Sequence, residues 1–305
     1  MGSQDHTVFD FWEHSVRVFP HGISRLKRST LKSRCKTSSP SPRGEITSFS
    51  RHSSLRMRRA LLSSDLRSSG YLNLGITLTL PFKVDDDSDF DMLHSDYKIA
   101  FNRFGVSFRR RFPNSACIFR HELQQRGAPH CHLVCWLSSV DFHLVKVGRY
   151  STLSDFRSIV FDMWASSLVG FSWPVCRLSS FSRHGVKVDV LSDNIAMYRY
   201  ISDHASKHKK SQLGYRGKQW GYINRRVFVP SPSLDLCFTR PSQMVCFNRH
   251  VSKCSRFFVG EGKNRRLSKR RDGRSVVFVD RSTVLNLHTA IVNGVVCHYS
   301  ELLDF

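Results

Sequence analysis

The stretch RGAPHCHLVCWL, residues 126–137, constrains the fold more than any other part of the chain. From Pro129 onward it has the composition of a buried strand. The preceding SACIFRHEL is a second strand, and the short Gly-containing QQRG between them predicts a β-hairpin. Strand side chains alternate, so His130, His132, Val134 and Trp136 share one face while Cys131, Leu133 and Cys135 point the other way. Two imidazoles on one face are half of a metal site. The same alternation argues against a zinc site that uses the histidines and thiols together. Closing the hairpin brings Glu122 beside the histidines, and a carboxylate with two imidazoles suits a divalent metal with open positions for phosphate oxygen and water. A one-residue slip in register would put His121 or Gln124 in the place of Glu122.

The charge balance narrows the partners. Lys and Arg number 47 against 24 Asp and Glu, a net charge of +23, and such an excess favours a polyanion. Nucleic acid is the first expectation, since each neutralised phosphate releases counterions. No run of about 18 apolar residues is present, so no membrane span is expected. The nine cysteines are odd in number, scattered and without a CxxC pair, which reads as free thiols in a reducing compartment. The first twenty residues lack the charged-then-apolar order of a secretory signal. The expected location is a host cell's cytoplasm, or its nucleus if the host is eukaryotic.

Three regions follow from composition. Residues 1–70 contain a long Ser/Arg-rich stretch with no sustained apolar period, expected to be a largely disordered basic arm. Residues 71–228 carry the ordered elements: a strand at YLNLGITLTL, an acidic loop at KVDDDSDFD, a helix placing Phe101, Phe104 and Phe108 at helical spacing, and the hairpin. They continue with an amphipathic helix over SDFRSIVFDMWASSLVG, with Ser154 as the expected N-cap, and a strand at GVKVDVL. Residues 229–305 begin with a linker-like PSPSLDLCFTRPSQ and continue as basic loops with a short strand at SVVFVD.

The helix expected over SDNIAMYRYISDHASKHKK supplies a second constellation. Tyr200, His204, Lys207 and His208 fall at i, i+4, i+7 and i+8 and share one helical face. A tyrosine and a lysine so aligned can attack a phosphate and neutralise its charge.

GITLTLP at 75–81, ELQQRGAPHCHLV at 122–134 and YISDHASK at 200–207 together resemble the three ordered motifs of rolling-circle replication initiators, the HUH endonuclease superfamily of single-stranded DNA phages, viruses and plasmids. The middle motif is the most specific, with Arg126, Gly127, Pro129 and the His-hydrophobic-His core together. GKQWGYIN at 217–224 resembles the Trp-Gly segment that trails the third motif in such proteins. The resemblance covers about residues 71–224. Where two-tyrosine initiators carry a second tyrosine four residues on, this chain has His204, a one-tyrosine pattern with Tyr200 as nucleophile and Tyr198 and Tyr215 as nearby substitutes.

The resemblance implies an α+β fold, a central antiparallel sheet flanked by helices with the histidines on a central strand. It implies His130, His132 and Glu122 as ligands of Mg²⁺ or Mn²⁺, and attack by Tyr200 on single-stranded origin DNA to leave a 5′-phosphotyrosine and a 3′-hydroxyl. Lys207 and His204 would assist the phenol, and Arg126, Arg216, Lys218 and Trp220 would contact DNA. No Walker A sequence is present, so unwinding and synthesis fall to a host helicase and a host DNA polymerase. The competing expectations are a non-catalytic basic nucleic-acid-binding protein and an HUH relaxase or transposase. Relaxases typically place the tyrosine before the histidines, which is not the order here.

Overall fold

The computed structural model describes residues 15–19, 22–25, 49–64, 71–80, 87–124, 127–143, 152–171, 185–191, 217–228, 233–258, 276–277 and 281–294. In chain order the elements are β1 (Ser15–Phe19), β2 (Gly22–Arg25), α1 (Arg51–Ser63), β3 (Tyr71–Thr79), α2 (Asp87–Arg111), β4 (Ala116–Leu123) and β5 (Pro129–Ser138). Then come α3 (Ser139–His143), α4 (Leu153–Ser167), β6 (Val186–Val190), β7 (Trp220–Ile223), β8 (Leu234–Cys237), α5 (Pro241–Phe258), β9 (Val276–Val277) and α6 (Arg281–Val292). The chain divides into two units: residues 43–61 with 66–229, and residues 1–42 with 62–65 and 230–305. The protein is α+β.

The first unit is built on a five-stranded antiparallel sheet in the order β6-β3-β5-β4-β7. All ten residues of β5 are buried, which explains why this strand reads as a nearly unbroken apolar run. One face packs on helices. Tyr97, Phe101, Phe104 and Phe108 of α2 recur at helical spacing and are buried with Phe156, Val160 and Trp164 of α4 against Cys131, Leu133 and Cys135. Each such large side chain contributes about 1.5–3 kcal/mol of burial. The N-cap of α4 is Thr152, not Ser154: its side chain accepts from the Asp155 amide while Asp155 bonds back to the Thr152 amide. At the other end of α4, Trp164 donates its indole N–H to the Thr79 carbonyl at 3.1 Å, tying the helix to β3.

The opposite face carries Ile118, Val134 and Trp136 and is partly covered by Phe49 and by Met57, Ala60 and Leu61 of α1. This helix lies in the stretch expected to be an arm. Its apolar stripe is narrow, four arginines dilute the average, and the sheet face it covers supplies the stabilisation that its composition lacks. The stretch read as an acidic loop likewise enters α2 at Asp87.

The second unit is a four-stranded sheet in the order β8-β1-β2-β9, with Val16 and Val18 buried among Phe238, Met244, Phe247 and Val251, and Val284, Leu287 and Ile291 of α6. Thus β8 and the first residues of α5 lie inside the segment read as a linker, the rest of α5 and α6 inside the segment read as basic loops, and β1 and β2 inside the expected arm. Of the expected strand at SVVFVD, the structure describes β9, Val276–Val277. Among the described residues no helix is long and apolar enough to cross a membrane.

Candidate metal centre

Strand pairing assembles the site. Glu122 on β4 lies directly opposite His130 on β5, and His132 lies directly opposite Thr77 on β3. Directly opposed residues share a face, so all four side chains rise from one side of the sheet. The hairpin register is set by its turn, where Gly127 takes φ +80° and donates to the Gln124 carbonyl at 3.0 Å, and the Gln124 amide donates to Ala128 at 2.9 Å. Only glycine adopts such a φ without strain.

The three ligating groups converge. The Nε2 atoms of His130 and His132 are 2.8 Å apart, and Glu122 Oε2 lies 3.9 and 3.8 Å from them. One donor atom from each residue lies within 4.8 Å of the others, and all three residues are buried. Metal–ligand bonds of about 2.0–2.2 Å place donors around one ion at such separations. Thr77 Oγ1 hydrogen-bonds His132 Nδ1 at 3.2 Å, which orients the ring and leaves Nε2 turned to the cluster. At 2.8 Å the two rings share one proton as a hydrogen bond; its release frees both Nε2 lone pairs for a divalent cation, whose charge the carboxylate offsets in part. The donor set fits.

Neighbouring groups divide cleanly between the two faces. His121 points to the helical side, where Tyr97 Oη bonds its Nδ1 at 2.8 Å and the rings of Phe101 and Phe119 enclose it at 4.5 and 4.8 Å. Burial, with Arg120 beside it, holds its pKa well below the usual imidazole range, so it is a neutral core histidine. Glu122, and not His121 or Gln124, therefore completes the cluster. Cys117, Cys131 and Cys135 also face the helices, and burial pushes the Cys117 and Cys131 thiols up, away from the thiolate that a metal would need.

Arg120 escapes sequence reasoning. It sits opposite both His132 and Trp220, on the face of the metal cluster, and is fully buried. Its guanidinium lies 3.6 Å from the centre of the Phe49 ring and donates to Gln219 Oε1 at 2.9 Å. An arginine inside a strand reads as solvent-facing; its parity with Glu122 is the one signal in the sequence that places it here.

Of the residues expected to hold DNA, Trp220 is half-buried on the face of the cluster. Lys218 is exposed, with Nζ 5.8 Å from the centre of the Phe119 ring on the helical side. Tyr200, His204 and Lys207, with the helix expected to carry them, lie outside the described residues, as do Arg126 and Arg216. Comparison with protein-family models, with curated proteins and with solved structures finds no match to this chain.

Proposed function

We propose that this protein is a replication initiator that nicks single-stranded origin DNA by metal-assisted tyrosine attack. The observation that carries the reading is the buried convergence of Glu122, His130 and His132 on the central strands of an antiparallel sheet, in a chain of net charge +23. The order of the three motifs, with Tyr200 following the histidines, supports the replication branch.

In this reading Glu122, His130 and His132 hold Mg²⁺ or Mn²⁺. When bound, the ion supplies Lewis-acid polarisation of the scissile phosphate. Thr77 keeps the His132 ring in its ligating orientation. Tyr200 Oη attacks phosphorus; the new P–O bond forms as the bond to the 3′ oxygen breaks, giving a 5′-phosphotyrosine. His204, four residues beyond Tyr200, takes the phenol proton, which passes to the departing oxygen and completes the 3′-hydroxyl. Lys207, seven residues along, neutralises charge that builds on the phosphate. A phenol with a reference pKa of about 10 requires such help near neutral pH. Arg126, Arg216, Lys218 and Trp220 hold the strand. A host helicase opens the duplex and a host polymerase extends the 3′-hydroxyl.

The test is a covalent-adduct assay on single-stranded DNA carrying candidate origin hairpins, with Mn²⁺ or with chelator. A protein–DNA band that needs metal, resists denaturation and disappears in Tyr200→Phe supports the reading. A band that persists in Tyr200→Phe moves the nucleophile to Tyr198 or Tyr215, and binding without a band on any origin supports a non-catalytic binder.

A further inference from the structure

Strand β7 is one of the two edge strands of the five-stranded sheet and lies two strands from His132. Trp220 is opposite Arg120, which is opposite His132, so one row of side chains on one face leads from the metal cluster to the sheet edge. Strand spacing makes that path about 10 Å. Next along β7 on the same face comes Tyr222, opposite Ile118.

These rings belong to a chain of aromatics. Trp220 and Tyr222 have centroids 5.8 Å apart, Tyr222 and Phe228 5.3 Å, and Phe228 and Trp136 5.3 Å. Trp136 is buried at the inner end, while Trp220 and Tyr222 at the outer end are only partly buried. The inner pair supports the outer pair as a floor supports a platform.

The turn after β7 adds charge. Asn224 takes φ +57°, and its side-chain amide donates to the carbonyls of Pro113 at 2.7 Å and Ser115 at 2.9 Å. The Val227 amide closes on the Asn224 carbonyl and the Phe228 amide on that of Arg225, both at 3.1 Å. The pinned turn leaves Arg225 and Arg226 exposed, with the Arg225 guanidinium 5.4 Å from the centre of the Tyr222 ring. Residues 217–229 contain no acid. Half-buried aromatics flanked by exposed arginines are the composition of a surface that stacks bases and pairs phosphates.

We propose that β7 and its turn form a subsite for single-stranded DNA, with Trp220 and Tyr222 receiving bases and Arg225 and Arg226 receiving phosphates. The subsite rests on the reading that the substrate is single-stranded DNA, and it sets where the strand beside the nick is held. Arg120, bonded to Gln219 next to Trp220, ties this edge to the metal row.

The test is the affinity of the full chain for a fluorescent oligothymidylate, read by anisotropy in chelator so that neither metal nor cleavage contributes. Trp220→Ala weakens binding about 10-fold while Trp220→Phe retains most of it, in line with the stacking energy of one base. An abasic oligonucleotide of the same length binds wild type and Trp220→Ala alike. Arg225→Gln with Arg226→Gln lowers the slope of log affinity against log salt by about 1.4, the loss of two phosphate contacts on a single strand. These two arginines are exposed, so that variant keeps its fold even if Trp220→Ala does not. An unchanged affinity in Trp220→Ala and an unchanged salt slope in the arginine variant overturn the proposal, as does an equal loss on base-containing and abasic strands. Because binding is read without metal, a missing covalent band would overturn the nicking reading and leave this result standing.

Discussion

His132 is held from two sides: Thr77 bonds its Nδ1, and its Nε2 faces His130 and Glu122. Thr77→Val keeps the shape and removes the bond, so the ring loses its orientation. Mn²⁺ affinity is expected to fall 10- to 100-fold with little change in the thermal midpoint of the metal-free protein; metal titration beside a melting curve checks both. His121, one residue from Glu122, has the opposite fate because strand side chains alternate. Its bond to Tyr97 Oη is buried, and Tyr97→Phe should cost about 1–2 kcal/mol in urea unfolding. Its folded pKa is lowered, so below the unfolded value of about 6.5 the unfolded chain binds the extra proton. Stability is therefore retained above that pH and lost as pH falls, by about 1.4 kcal/mol per unit until the folded pKa is reached. Urea midpoints should fall between pH 7 and pH 5.5, with the fall steepening toward that limit below pH 6.5, and His121→Gln should flatten it. At this scale the sequence was legible: period-two alternation placed His130, His132 and the thiols on opposite faces. It left Glu122 open against His121, because one residue of register is invisible until the turn at Gly127 is seen.

The hairpin and α4 could be read from apolar period and turn residues, since each element carries its own pattern. Helix α1 could not. Ser54, Met57 and Leu61 recur at i, i+3 and i+7, but the stripe is interrupted by arginines whose exposure only the sheet decides. Met57 is fully buried against the face that bears Ile118, Val134 and Trp136. Met57→Ala is expected to destabilise the protein by about 2–5 kcal/mol, where a disordered arm would register no loss. Denaturant unfolding distinguishes the two. The trailing Trp-Gly segment becomes β7, so the motif that resembled a DNA contact is also an edge strand paired with β4.

Across the whole molecule, the N-terminal and C-terminal segments close one sheet. Arg17 and Asp235, 218 residues apart, pair across β1 and β8 at 2.7 Å. No local window of sequence reports a partner at that distance, which is why residues 1–70 and 229–305 read as an arm and an extension. In the observed order β8-β1-β2-β9 the N-terminal strands are central. Deleting residues 1–25 is therefore expected to abolish hydrogen-exchange protection in α5 and β8 while protection in β3, β4 and β5 persists. Retained protection in α5 would show that the C-terminal segment folds without those strands.

The central claim is that Glu122, His130 and His132 form one divalent metal centre, and calorimetric titration of the full chain with Mn²⁺ tests it most directly. The expected result is one ion per chain for the wild type, with binding lost in His132→Ala and weakened at least 10-fold in Glu122→Gln while both variants keep the wild-type circular dichroism spectrum. Wild-type affinity in a folded His132→Ala protein, or no Mn²⁺ binding by the wild type, would contradict it.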